Sequence, residues 1–340
     1  MEAHFKQEVE LTAQTINELK QEGCFVFTLL ADSHLNPTLD TSVSKFDHTL
    51  ENLAAVHQRA DIDALFHLGD LVFTGVALPK EYWLPERTLA VETKVREAIL
   101  ACNPNSFFVA GNHDGAGAQP AEEAYWYEEM VRFHGDRVCS VPGKGYYFVD
   151  FPEYRVRAIC LMDTLRQEDK NLAGYLPDQL NWLANEALDI PENYKVLLFA
   201  HVALHGGMQR LNLVNLEELK GLLTAFQNRT VYRGEVVQAD FTNRKNGEIS
   251  ALFGGHHHVQ WSGYPDGLPF RVVETPCNMF HMPHHSASWI PEGTLVGYVP
   301  ADRERGTVTE DLWDTVVFDT KNNCLHMVRF GSGEDVTYPL

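Results

Sequence analysis

Five stretches of the chain end an apolar run on residues that bind metals or move protons. CFVFTLLADSH delivers Asp32 and His34, ALFHLGD delivers Asp70, and SFFVAGNHDG delivers Asn112, His113 and Asp114. KVLLFAH delivers His201, and ISALFGGHHH delivers His256, His257 and His258. Carboxylates, imidazoles and one amide oxygen form a borderline donor set that suits manganese, iron or zinc, and the lack of thiolates argues against a structural zinc site. Asp32, His34, Asp70, Asn112, His201 and two of the three histidines are too many ligands for one ordinary ion. They are about right for a pair that shares a carboxylate.

These residues need rigid elements to bring them together. Each apolar run reads as a buried strand, and in open α/β sheets ligands gather at the C-terminal strand edge. Helical patterns separate the early strands, at roughly 43–60 and 86–101. Phe5, Val9, Thr12, Ile16 and Leu19 give residues 5–20 a narrow apolar stripe, so residues 1–22 read as an amphipathic helix packed on the domain edge or forming a dimer seam. After residue 250 short alternating segments dominate: WSGYP, FRVVET, TVVFDT and CLHMVRF, the last two joined by a hairpin turn at Lys321-Asn322-Asn323. The expected fold class is α/β with added antiparallel sheet (α+β), in a single domain over 1–340. Residues 276–340 supply a loop and hairpin elements. Residues 115–145, 203–235 and 276–295 read as long loops.

Composition limits the partners. The chain has 340 residues, 44% of them hydrophobic, and no run approaches the ~18 to 20 apolar residues of a membrane helix. MEAHFKQEVE is charged from its second residue and lacks the apolar core of a signal peptide, so the expected placement is cytoplasmic. The six cysteines are scattered without a CxxC pair and read as reduced thiols. A net charge of -20 repels polyanions, and no Lys/Arg stripe tracks a nucleic-acid backbone. A small phosphorylated substrate remains compatible.

The order D-x-H, G-D, G-N-H-D, H, G-H-x-H resembles the calcineurin-like metallophosphoesterase superfamily. Here it stands as Asp32-Ser33-His34, Gly69-Asp70, Gly111-Asn112-His113-Asp114, His201 and Gly255-His256-His257-His258. The resemblance implies a four-layer αββα sandwich and a dinuclear centre of Mn2+, Fe2+/Fe3+ or Zn2+. Asp32, His34 and His258 would hold one ion, Asn112, His201 and His256 the other, and Asp70 both. His256 and His258 would face the metals and His257 would point away, because side chains two apart in an extended segment share a face. Gly254 and Gly255 fit a backbone that must pass close to the metals. AHVALHGG also offers His205, but His201 ends the strand directly, as the family's ligand does; Ala203 stands where family members often carry proline.

The implied chemistry is hydrolysis of a phosphate ester by a metal-bridging hydroxide. His113 would serve the leaving oxygen, and Asp114 would either orient His113 or cap its turn. Purple acid phosphatases have a tyrosine three residues after the bridging aspartate, where this chain has Phe73, so no tyrosinate–iron chromophore is expected. GDLVFTG also lacks the Asp-Arg pair of protein serine/threonine phosphatases. The remaining resemblance is to the bacterial-type branch, which includes small-molecule phosphodiesterases. That makes a phosphodiesterase on a small soluble substrate the leading expectation, a phosphomonoesterase on a phosphorylated metabolite the alternative, and a non-catalytic metal-binding module a third. His205, His281, His284 and His285 are the candidate substrate contacts, with Trp289 of the same loop-like segment as the last three placed to stack on a base or ring, and Tyr175 and Arg210 as looser ones.

Overall fold

The computed structural model describes residues 1–73, 84–115, 120–167, 170–204, 213–279 and 303–340. Its centre is a pair of mixed sheets. One runs, in hydrogen-bonded order, Val336–Pro339, Cys324–Gly331, Leu312–Asp319, Cys24–Leu30, Ala64–His67 and Ser106–Phe108. The other runs Trp261–Gly263, Arg271–Glu274, Glu248–Gly255, Lys195–Val202, Val156–Cys160, Tyr147–Phe151 and Cys139–Ser140. Cys24–Leu30, Ala64–His67 and Ser106–Phe108 are parallel, as are Val156–Cys160, Lys195–Val202 and Glu248–Gly255. The expected strands therefore point their C-terminal ends, and their chemistry, the same way within each sheet.

The sheets meet through aromatic side chains. Phe66 stacks on Phe199 with ring centroids 3.9 Å apart, and Phe27 meets Phe199 and Phe253 edge-on at 5.8 and 5.5 Å. Such pairs contribute about 0.5–1.5 kcal/mol each beyond their buried area. The central parallel strands are mostly apolar and buried because both faces are covered. Helix Ala3–Leu19 lays Phe5, Val9, Ala13 and Ile16 against Cys324–Gly331, with Phe5 stacked on Phe330 at 6.1 Å, the edge packing expected of its stripe. Asp40–His57 packs against it and against Pro85–Cys102. On the far side, Trp182 of helix Pro177–Trp182 covers Tyr146 and Phe148. Helix, sheet, sheet and helix give the four-layer sandwich.

The C-terminal hairpin is as expected, its strands paired from Asp319 with Cys324 to Leu312 with Gly331. Two of the expected loops need correction. Residues 203–235 contain helix Leu216–Asn228, whose apolar face of Leu219, Leu222, Leu223 and Phe226 is buried. Residues 115–145 contain the short helix Glu123–Trp126.

One buried group makes the fold sensitive to acid. His134 is stacked on Phe107 at 5.0 Å, and among the described residues neither ring nitrogen has a hydrogen-bond partner. Burial, helped by Arg137, lowers its pKa to about 3. The unfolded chain binds the proton below about pH 6.5 and the fold does not, so stability is present above 6.5 and is lost as pH falls toward 3, at up to about 1.4 kcal/mol per unit. His134→Phe is expected to flatten that slope by one histidine's share, read as urea midpoints between pH 7 and 4.

Candidate metal centre

At the joint C-terminal edge the backbone turns sharply. Asp32, His34, Asp70, His256 and His258 all have positive φ, of 53°, 42°, 53°, 67° and 60°. Non-glycine residues rarely adopt this left-handed region, which costs about 1–2 kcal/mol each, and such residues cluster where surrounding structure over-determines them. Here Asp32 N–H donates to Gly69 O at 3.1 Å and His34 N–H to Asp70 O at 2.9 Å, lacing the first two loops together. Two glycines permit the close approach. A Cβ on Gly111 would stand 2.2 Å from Asp70 N and Oδ1, and one on Gly255 would stand 2.7 Å from Asp32 Oδ2.

The side chains fall into two joined groups. In the first, His258 Nε2 lies 3.2 Å from His34 Nε2 and 3.4 Å from Asp32 Oδ1. In the second, His201 Nε2 lies 3.2 Å from His256 Nδ1 and 3.0 Å from Asn112 Oδ1. Asp70 stands between, its Oδ2 3.3 Å from His34 Nε2 and 3.5 Å from His201 Nε2. Two ligands at ~2.0–2.1 Å from one ion, set 90–110° apart, are separated by about 2.9–3.4 Å, so these donors are spaced to share cations. Asp32, His34, Asp70 and His201 are buried, while Asn112, His256 and His258 are part-exposed at the mouth of the cup.

Neighbouring groups fix the donors' states. His201 Nδ1 faces Leu68 O at 2.7 Å, which makes it the protonated nitrogen and leaves Nε2 for the cluster. Burial disfavours the cationic forms of His34 and His256 and holds both well below the usual range. Burial works the same way on His201, but Asp70, Asp32 and Asp163 outweigh it and hold its pKa near 10. Asp70 stays ionised well below the carboxylate range, because His201, His113 and His34 overcome its burial. Burial opposes the cationic form of His258 as well, but Cys277 and Asp32 outweigh it and hold its pKa well above the usual range. In the metal-free protein, protons on His201 and His258 therefore balance the carboxylates, and cations would displace those protons.

Three expectations acquire physical detail. His256 and His258 do face the cluster, but not by strand alternation: the strand ends at Gly255 and both residues are left-handed. His257 is turned to Glu274, its Nδ1 2.5 Å from Oε1. Asp114 is fully buried and accepts backbone N–H bonds from Asp70 (2.8 Å), Leu71 (2.7 Å) and Gly111 (2.8 Å), the turn-building alternative of its two readings. Burial and then Asp70 push its pKa up to about 7, against the pull of those N–H groups. His113 is half-buried, with its ring 5.0 Å from that of His34 and stacked at 5.7 Å on Phe73, the residue that replaces tyrosine.

Tyr175 is fully buried, which removes it from the substrate candidates. His205, Arg210, His281, His284, His285 and Trp289 lie outside the described residues. Asp163 went unnoticed in the sequence. Its carboxylate accepts from His201 N at 3.3 Å and Val202 N at 2.7 Å, fixing the end of that strand. VRAICLMD, a sixth apolar run ending on a carboxylate, was the available signal.

An αββα sandwich with a two-part His/Asp cup at its strand ends defines the class of metal-dependent phosphoester hydrolases. A model of the calcineurin-like phosphoesterases matches residues 25–260, and the chain belongs to that family. Among solved structures, a dimetal phosphatase from Danio rerio is similar with a TM-score of 0.57 and 14% identity, over 92% of this chain and 98% of that one. The phosphopantetheinyl hydrolase of Mycobacterium tuberculosis aligns with a TM-score of 0.42 and 12% identity, over 83% and 98%. No curated protein matches the sequence. Among the described residues, no helix is long and apolar enough to cross a membrane.

Proposed function

We propose that the protein is a dinuclear phosphodiesterase acting on a small soluble phosphate diester. Asp32, His34 and His258 hold one divalent cation, Asn112, His201 and His256 the second, and Asp70 is shared. The observation that carries this reading is the position of Asp70, whose one carboxylate oxygen stands within 3.5 Å of an imidazole of each group. A cation pair bound there supplies neutralising charge to the phosphoryl oxygens and an acidified water near neutral pH. The chain's own residues do the rest. The buried carboxylates and imidazoles are pre-set by backbone bonds, so no reorganisation is needed as charge develops. The backbone N–H of His113 donates to Asp70 Oδ1 at 2.7 Å, which places the residue at the border of the cup, and its imidazole delivers a proton to the departing oxygen. The -20 net charge supports a small substrate over a polynucleotide.

The test compares hydrolysis of bis-p-nitrophenyl phosphate and p-nitrophenyl phosphate by Mn2+-loaded protein. Metal-dependent diester cleavage at a higher kcat/KM is the expected result. A monoester preference would replace this reading with a phosphomonoesterase, and two bound metals with neither activity would leave a metal-binding module or a narrower substrate.

A further inference from the structure

A buried carboxylate outside the matched region is tied to the metal cup. Asp311 precedes strand Leu312–Asp319 and is fully buried. Its Oδ1 accepts from Lys45 Nζ (3.0 Å), Thr49 Oγ1 (2.9 Å), Leu312 N (3.0 Å) and Asn278 Nδ2 (3.1 Å). Its Oδ2 accepts from Asn52 Nδ2 (3.0 Å) and Trp313 Nε1 (3.3 Å). A buried ion pair such as Lys45–Asp311 is weak evidence for stability, since apolar side chains of the same volume often serve as well. Its geometry shows what else it does.

Asn278 is the link. Its side chain also donates to Leu312 O at 2.9 Å, so it is gripped at two points by the strand entry. Its backbone N–H donates to Ala31 O at 2.8 Å, and the next N–H, of Met279, donates to Asp32 O at 3.1 Å. The Cys277 thiol donates to that same Asp32 carbonyl at 3.1 Å. Arg303 holds the strap from outside, donating to the carbonyls of Cys277 (3.0 Å), Asn278 (2.9 Å) and Met279 (2.5 Å). Among the described residues the strap thus supplies both partners of the Asp32 carbonyl, and Asp32 is one of the left-handed residues that need outside support to keep their conformation.

We propose that Asn278 and Asp311 are positioning residues for Asp32: anchored by Asp311, Asn278 sets the strap that fixes the left-handed turn presenting the Asp32 carboxylate. This rests on the reading of Asp32 as a metal ligand. Groups supporting a ligand typically change metal affinity 10- to 100-fold when removed. The experiment is calorimetric titration of metal-stripped protein with Mn2+, alongside thermal melts, for Asn278→Ala, Thr49→Val and Asp32→Ala. Thr49→Val removes another donor to the same Asp311 Oδ1, leaves the side-chain and backbone donors of Asn278 in place, and controls for lost stability. Asn278→Ala is expected to weaken one Mn2+ about 10- to 100-fold and to leave the other near the parent, whereas Thr49→Val lowers Tm with both affinities retained. The milder Asn278→Ser, in reserve should the alanine variant fold poorly, is expected to shift the same Mn2+ in the same direction. A lower Tm with both affinities unchanged in the Asn278 variants, or equal weakening by Thr49→Val, would overturn the proposal. Asp32→Ala separates the two levels: if it alters neither Mn2+ affinity, the ligand assignment itself falls and the proposal with it.

Discussion

Replacing His113 by alanine is expected to lower kcat about 100- to 10,000-fold while the metal content stays that of the parent. The ring borders the cup, 5.0 Å from His34 and stacked on Phe73, while both groups of donors are complete without it. Its loss should therefore fall on the proton that the departing oxygen needs. That gives a second signature. An aryl ester leaves as a weakly basic phenolate that needs little help, whereas an alkyl ester leaves as a strongly basic alkoxide. The loss should sit at the low end of the range for bis-p-nitrophenyl phosphate and rise as the leaving group becomes more basic. The rate is measured with saturating Mn2+ and the bound metal by elemental analysis. His113 also lies close enough to His34 and Asp70 to form a third donor group with them. Loss of metal in the variant would make His113 a ligand and sink its role as proton donor.

The candidate site was legible because each donor sits at the end of a strand whose apolar run is written locally. Asp32, Asp70, Asn112 and His201 could be found without knowing which strands pair. What supports them was harder to read. Asp114 and Asp163 act on backbone N–H groups of segments distant in sequence, and those partnerships exist only once the sheets have formed. Asp311 reaches Asn278 and Lys45 across separate elements, so no spacing announces it. The strand rule that turns His256 and His258 to one side does not apply there; two left-handed residues produce the same convergence on the cluster. The helix Leu216–Asn228 has a regular apolar face and was hidden by its surroundings, since the chain enters it at Asn215 and leaves it at Arg229, both left-handed.

Asp70→Asn tests the sharing of one carboxylate between two cations. The substitution preserves shape and an acceptor oxygen for the His113 N–H but removes the charge between the two groups. A carboxylate at ligand distance from a cation is worth several kcal/mol even at an effective dielectric near 20, so each ion should lose about 100-fold or more in affinity. Both Mn2+ ions are therefore expected to weaken together in calorimetry, with hydrolysis lost in step. The metal-stripped protein offers an independent readout through His201. Its imidazole is held near pKa 10, with Asp70 the largest influence raising it against the opposing effect of burial. A pKa raised above its unfolded value gives stability that is fully present below about pH 6.5 and lost as pH rises through 10. Removing the Asp70 charge should bring the His201 pKa down and shrink that alkaline loss, visible by NMR titration of the ring and by denaturant midpoints between pH 7 and 10. If only one Mn2+ weakens, Asp70 belongs to a single ion, and the oxygen that stands within 3.5 Å of both imidazoles is near the second group without serving it.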